Sequence, residues 1–433
     1  MASTQGRLNL LPMSPAQVPE GGDMEIILRC CAGLDVHKDG VEVCVRQLGE
    51  KGTLHQQVRH WATMTRDLMA MADWLAAAGV THVAMESTGV YWKPVFNLLE
   101  ERFEILLVNA RHLKNVPGRK TDIKDCQWIA QLLQPGLLKG SFIPPRPQPE
   151  LRDLTRQRAQ MMEERSRICN RLQKVLEDAN IKLASVASDV VGVSGRLMLQ
   201  AMVGGEDDPG KLADLAKCQL RGKIPQLEQA RYGKLTEHHR WRLRLLWDQL
   251  TSTEALVARL DERIAQCTRP QQPVLERLDE IPGIDVRVAQ VLLAEIGADM
   301  KPFPSDAPLA SWAGLCPGNN ESAGKKRSGK TTKGSRWLRP ALVQAAWAAS
   351  HKKDSYFQVH ARNLMHRRGR KRGLVAVAHS LLIVIYHMLK EETHYRDLGP
   401  QFLDRLRAKH LVRFHVRRLQ QLGLEVALRP VAA

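Results

Sequence analysis

From Glu25 to about Phe142, short apolar runs of β type alternate with stretches whose apolar residues recur at helical spacing. Three strands come first: ILRCCAGLDV, then VEVCVRQL after the turn at Asp39-Gly40, then LHQQVRHW. TRDLMAMADWLAAAG has the three- and four-residue spacing of a helix, and Gly79 ends it as a C-cap residue does. Strand THVAMES, helix VYWKPVFNLLEER, strand FEILLVN and helix DIKDCQWIAQLL follow, and the Pro-rich FIPPRPQPE breaks the pattern. The pattern predicts an α/β layer with the order β-β-β-α-β-α-β-α.

Beyond the break the period changes. Leu151, Leu154, Arg158, Met161, Arg165, Ile168, Leu172 and Val175 step by three and four residues, which predicts a coiled-coil seam carrying two arginines. A second seam runs Leu243, Leu246, Leu250, Thr253, Val257, Leu260, Ile264 and Cys267, and a Gly-containing insert around GGEDDPG separates the two. Two helices paired inside one bundle and an intermolecular coiled coil fit this pattern equally. From Val274 onward the chain reads as helical and increasingly basic. There IPGI resembles the turn of a helix-hairpin-helix module, whose backbone N–H groups can hold a phosphate. The expected organisation is a disordered leader over 1–24, an α/β domain over 25–145, a coiled-coil region with an insert over 146–273 and a helical domain over 274–433. The pattern assigns no role to residues 182–235 or 395–433.

Charge changes the picture most. The 433 residues carry 64 Lys and Arg against 46 Asp and Glu, a formal charge of +18, which points to a polyanion such as nucleic acid or an anionic membrane as partner. No stretch reaches the roughly 18 to 20 uninterrupted apolar residues of a membrane span, and the leader lacks a signal-peptide pattern, so no membrane role is expected. The eight cysteines are scattered with no pair at zinc-ligand spacing, and they read as reduced thiols of a cytosol.

Four carboxylates stand out: Asp35 on the first strand, Glu86 at the end of the fourth, and Asp122 and Asp125 on the last helix of the α/β pattern. The element order is that of an RNase-H-like fold, in which those two strands are neighbours, and residues three apart share a helix face. Clustered carboxylates repel unless a divalent cation neutralises them, and hard oxygen donors suit Mg²⁺. Two such ions about 4 Å apart would stabilise both the attacking and the leaving oxygen of a phosphoryl transfer. Each residue alone has a plainer account, with Asp122 and Asp125 favouring the positive end of a helix capped by Thr121. All four in this order fit that account less well, and Asp35 sits mid-strand among apolar neighbours, where an unpaired charge is costly. Arg111, Lys114, Arg119 and Lys120 precede the helix carboxylates and read either as a grip on a nucleic-acid backbone or as a solvated basic loop.

GLDVHKDGVEVCV, AMESTGVYW and GRKTDIKDCQWIAQLL resemble the N-terminal signature of the DEDD transposases of the IS-one-hundred-ten type, an insertion-sequence family of bridge-RNA-guided recombinases. LDEIPGIDVRVAQVLLAEIG, followed by SWAGLCPGNNESAGKKRSGKTTKGSRWLRPALVQAAW, is similar to that family's C-terminal transposase domain. The resemblance implies a RuvC-like domain whose Asp35, Glu86, Asp122 and Asp125 bind Mg²⁺, and a serine nucleophile that falls on Ser322 in NNESAGKK. Where a branch of the family has a second serine this chain has Glu321, and Ser328 is the alternative register. The resemblance further implies a noncoding bridge RNA that pairs with donor and target DNA, and a coiled coil that joins subunits into homodimers and homotetramers. It implies a composite site in which the acidic domain of one subunit meets the serine of another, and a cytoplasmic, nucleoid-associated location in a prokaryote.

Read from the residues alone, Ser322 is a loop serine followed by Lys325, Lys326, Arg327, Lys330, Lys333, Arg336 and Arg339 with no intervening acid. A basic loop that contacts phosphates without chemistry is the plainer account, and the resemblance reverses that preference. Two further basic runs, MHRRGRKRG and RLRAKHLVRFHVRR, are expected to meet a nucleic-acid backbone, and LVAVAHSLLIVIYHML, with His379 and His387, is expected as a core helix. The leading expectation is an RNA-guided DNA recombinase that forms a phosphoserine intermediate. The alternatives are a metal-only RuvC-type nuclease or Holliday-junction resolvase, and a non-catalytic nucleic-acid-binding protein.

Overall fold

The computed structural model describes residues 27–49, 52–87, 89–109, 113, 124–138, 140–141, 147–317, 320–322, 325–328, 330–331, 333–406 and 408–428. The expected leader lies outside them. The chain divides into two units, Met1–Ile143 and Pro144–Ala433.

In the first unit the strands are β1 (Cys30–Val36), β2 (Gly40–Leu48) and β3 (Leu54–Ala62), followed by α1 (Thr65–Ala77), β4 (His82–Glu86), α2 (Trp92–Leu99), β5 (Glu104–Val108) and α3 (Asp125–Leu133). The sheet order is β3-β2-β1-β4-β5. β1 to β3 form an antiparallel meander, and β4 and β5 add in parallel. The parallel pairing follows from the crossovers, since α1 and α2 each carry the chain back along the sheet. Leu68, Met71, Ala72 and Leu75 of α1 recur at helical spacing and are buried against one face with Leu34, Val43 and Val83. Gly79 closes α1 at φ +76°, a conformation glycine adopts without strain. On the opposite face α3 buries Trp128, Ile129, Leu132 and Leu133 against Cys31, Ala84 and Val108. The strands are therefore covered on both sides, and so β1 and β4 read as nearly continuous apolar runs.

The second unit is mostly helical. Helix α4 (Gln148–Asp178) and helix α5 (Glu237–Thr268) carry the two predicted seams. They pack on each other within one chain and run antiparallel: Arg158 meets Asp261, Arg165 meets Glu254, and His239 meets Asp178. Seam residues Ile168, Leu172, Val175, Leu243 and Leu250 extend into a small core formed with the insert, whose Met198, Leu199, Leu212 and Leu227 are buried there. Residues 182–235 are thus a helical cap on one end of the pair. The other end, through Leu151 and Ile264, belongs to a larger core with α6 (Gln272–Asp279), α7 (Val286–Ile296) and α8 (Asp306–Trp312). That core also takes in α9 (Leu338–Ala349), α10 (Tyr356–Arg368) and α11 (Arg370–Glu391).

Helix α11 holds the apolar segment LVAVAHSLLIVIYHML. It has the length and hydropathy of a membrane span, but Val377, Leu381, Leu382, Ile385 and Tyr386 are buried in this core, and the Tyr386 hydroxyl donates to the Phe303 carbonyl at 3.0 Å. The IPGI turn lies between α6 and α7, where Gly283 has φ +85° and a β-carbon there would stand 2.2 Å from the Ala345 carbonyl oxygen. The glycine is therefore a packing requirement against α9. One amide of the first turn of α7 is already taken, with the Asp285 carboxylate accepting from the Val288 N–H at 2.8 Å.

Candidate active site

Gly33 determines how closely α3 lies on the sheet. A β-carbon at Gly33 would stand 2.3 Å from the Cys126 carbonyl oxygen and 2.4 Å from the Ala130 nitrogen, so only glycine lets the helix backbone rest on β1. Cys31 meets Ala130 and Gly33 meets Cys126, so α3 runs back along β1 and its first residue, Asp125, comes toward Asp35. In the parallel register of β1 and β4, Gly33 pairs with Ala84 and Leu34 with Met85. One step further outward stand Asp35 and Glu86, on the face that α3 covers. Asp122 and the expected cap Thr121 lie outside the described residues, and α3 starts at Asp125 with Lys124 as its N-cap.

The electrostatics agree with this convergence. The Asp35 carboxyl is held above its ordinary range, first by burial and then by the charges of Asp125 and Glu86, against the pull of His37. His37 Nε2 lies 3.1 Å from Asp35 Oδ2. Glu42, the cross-strand partner of Asp35, accepts at 2.9 Å from His60 and at 3.3 Å from the Lys124 ammonium, and the His60 bond leads in drawing its carboxyl below the usual range. Beside these groups His37, Lys38, Glu42, His60, Gly89 and Tyr91 line a cavity of about 640 Å³. Sequence reasoning missed His37, Glu42 and His60, although their positions relative to Asp35 along β1, β2 and β3 carry the signal. Buried Cys31 and Cys44 are pushed up to about 12 and Cys126 to about 11, chiefly by burial, so these thiols stay protonated and unreactive.

Among the described residues no three His, Cys, Asp or Glu side chains stand close enough to share one ion as they are. The donor set nevertheless suits a hard divalent cation, because Asp125 and Glu86 add to the cost of a charge on Asp35 and a cation would relieve it.

In the second unit the expected serine loop is a hairpin. β6 (Asn320–Ser322) and β7 (Lys325–Ser328) pair antiparallel, with Ser322 opposite Lys325, Glu321 opposite Lys326 and Asn320 opposite Ser328. Ser322 is therefore the last strand residue before the tip, and Ser328 lies at the base. Arg327 is also on β7. Lys330, Lys333 and Arg336 are exposed, Arg339 is half-buried, and the Arg336 guanidinium lies 4.7 Å from the Trp337 ring. Arg111, Lys114, Arg119 and Lys120 lie outside the described residues.

The hairpin's base is fixed at several points. Pro317 bridges to Thr331, and a β-carbon at Gly334 would stand 2.2 Å from Ala313. Ser335 accepts from the Leu338 N–H at 3.1 Å and donates to Glu295 at 3.2 Å. Glu295 is 1% exposed and takes both prongs of the Arg156 guanidinium at 2.8 and 3.0 Å. This anchor escaped sequence reasoning, because Arg156, Glu295 and Ser335 come from three distant elements.

Two family profiles match the chain: one described as "Transposase", of the DEDD IS110 type, over residues 32–181, and one described as "Transposase IS116/IS110/IS902 family" over residues 275–361. The first spans the converging carboxylates and the second the anchored hairpin. The chain belongs to the IS110-type transposase family. Among curated relatives, "Insertion element IS110 uncharacterized 43.6 kDa protein" of Streptomyces coelicolor is 32% identical over 133 residues, covering 30% of this chain and 32% of the relative. "Transposase for insertion sequence element IS1111A" of Coxiella burnetii is 22% identical over 372 residues, covering 84% of this chain and 90% of the relative. The chain thus spans about a third of the Streptomyces relative's length and most of the Coxiella one's.

Proposed function

We propose that this chain is the enzyme that cuts and rejoins DNA for an insertion sequence, acting on donor and target DNA. The observation that carries the reading is the convergence of Asp35, Glu86 and Asp125 on the face of the sheet under α3. The strand order β3-β2-β1-β4-β5, with an antiparallel meander and two parallel additions, supports an RNase-H-like, RuvC-like domain. Asp35, Glu86 and Asp125, with Asp122, are the residues that would hold a divalent metal, Mg²⁺ in this reading. Bound there, the metal would neutralise phosphodiester charge and favour ionisation of an attacking oxygen.

Ser322 is the proposed nucleophile, with Ser328 as the alternative. Its hydroxyl oxygen forms a bond to the phosphorus of a phosphodiester and gives up its proton, while one deoxyribose hydroxyl leaves and takes a proton. The phosphoserine keeps the energy of the broken bond, so attack by the hydroxyl of another strand rejoins DNA and frees the serine without ATP. Lys330, Lys333, Arg336 and Arg339, with the cations of β7, would hold the attacked phosphate.

The family resemblance supports a bridge RNA as the partner that selects donor and target, and a homodimer that assembles to a tetramer through the α4–α5 region. The reading extends to a cytoplasmic enzyme working at the nucleoid. The test is a denaturing gel for a covalent protein–DNA adduct, with Mg²⁺, donor and target DNA and RNA transcribed from the flanks of the source gene. The parent should form an adduct, and Ser322→Ala should form none. Cleavage by both proteins with no adduct in either would replace this reading with a metal-only nuclease. DNA binding that survives Asp35→Ala, with no cleavage by any protein in any metal, would leave a binding protein.

A further inference from the structure

In the second unit, α9, α10 and α11 enclose a groove of about 480 Å³ whose lining includes Trp347, His351, Gln358, Arg362, His366 and Arg370. Trp347 is an unusual residue to find there. It is 49% exposed, and one neighbour is a ring: the His351 imidazole, its Nδ1 2.7 Å from the Trp347 carbonyl oxygen, lies 4.4 Å from the indole. The result is a flat aromatic platform backed by a second ring and left open to solvent.

Its rim is positive and unneutralised. Arg362 and Arg370 are exposed, and among the described residues neither guanidinium makes an ion pair or hydrogen bond. Residues 351–372 hold eight Lys and Arg (Lys352, Lys353, Arg362, Arg367, Arg368, Arg370, Lys371, Arg372) against the single acid Asp354. No carboxylate lines the groove. No side chain caps the start of α11 at Arg370, so the amides of its first turn add to the positive field.

We propose that this groove takes an unpaired base of a single-stranded nucleic acid, stacked on Trp347, with the adjoining phosphates held by Arg362 and Arg370. An exposed aromatic face beside exposed guanidinium groups is the arrangement that binds single strands, because a stacked base inside a duplex has no free face to offer the indole. The inference rests on the reading that the chain works on nucleic acid, and assigns part of that work to a surface outside Asp35, Glu86, Asp125 and the Ser322 hairpin.

The experiment uses the full chain and single strands carrying 5-iodouracil, one set ribose and one set deoxyribose, with duplex DNA as control. Ultraviolet cross-linking and peptide mapping should place the adduct on Trp347, and the sugar that cross-links tells whether RNA or DNA is the source. Trp347→Ala should weaken single-strand binding about tenfold and leave duplex binding unchanged, while Trp347→Phe keeps most of the affinity. Removing both Arg362 and Arg370 should weaken binding and flatten its salt dependence. Cross-links that map elsewhere, or a Trp347→Ala protein that loses duplex and single-strand binding equally or neither, would overturn the inference. Parallel strand-cleavage assays separate the two readings. Parental cleavage with an indifferent Trp347→Ala sinks the groove alone, whereas a Trp347 cross-link without cleavage or DNA adduct sinks the enzyme and leaves the groove.

Discussion

Replacing Glu295 tests whether the hairpin that carries Ser322 is held from below. Glu295 is 1% exposed and satisfied by two bonds from Arg156 and one from Ser335, while the Arg156 side chain remains 33% exposed. Breaking a buried pair by removing one partner costs roughly 3–5 kcal/mol, because the survivor is left without its counter-charge. The two single substitutions therefore differ. Glu295→Ala strands a guanidinium that water already reaches, which places it near the lower end, about 3 kcal/mol. Arg156→Ala strands a fully buried carboxylate that keeps the Ser335 hydroxyl and the nearby charge of Arg152, which places it above the first, about 4 kcal/mol. Replacing both with methionine removes the stranded charge and should cost less than either alanine change. Urea unfolding followed by tryptophan fluorescence reads these differences as shifts in midpoint at constant slope. Single substitutions that each cost under about 1 kcal/mol, with a double that is simply additive, would refute the claim that this pair anchors the hairpin.

Three further outcomes concern the first unit. Gly33→Ala puts a methyl group 2.3 Å from the Cys126 carbonyl oxygen, so α3 must lift from the sheet. The expected cost is about 2–3 kcal/mol in urea, with strand cleavage lost while nucleic-acid binding persists, and an unchanged cleavage rate would show that the seating of α3 is irrelevant. Asp35 is raised in the folded state, so it favours folding below the ordinary carboxylate range and loses that contribution as pH climbs through its folded value. Asp35→Asn should therefore raise the melting temperature of the metal-free protein at neutral pH, with a gain that fades on acidification. Mg²⁺ at tenfold over its dissociation constant should add about 1.4 kcal/mol to the parent and nothing to Asp35→Asn, and equal responses would place the ion elsewhere.

The order of the first unit was legible because its periods differ sharply: strand, strand, strand, then helices at spacing three and four, each stopped by glycine or a polar turn. Asp35 and Glu86 were legible for the same reason, since a strand's period of two ties a residue's face to its position, and pairing Gly33 with Ala84 carries both acids to one side. The start of α3 was less legible. Thr121 reads as a cap in sequence, but the helix begins at Asp125 behind Lys124, whose ammonium is engaged by Glu42 across the sheet.

The second unit was less legible too. The seams on α4 and α5 show their apolar spacing, but not which helix each faces. The pairing brings together charges from distant parts of the segment, with Arg165 and Arg196 converging on Glu254, and Arg158 and Arg287 on Asp261. IPGI reads as a phosphate turn because Pro-Gly bends the chain and a helix follows. What local pattern omits is the carbonyl of Ala345 against Gly283 and the carboxylate of Asp285 on the Val288 amide. A glycine required by close packing and one required by a ligand look alike in sequence. They separate only when the atom that a methyl group would strike is known, and at both Gly33 and Gly283 that atom is protein backbone.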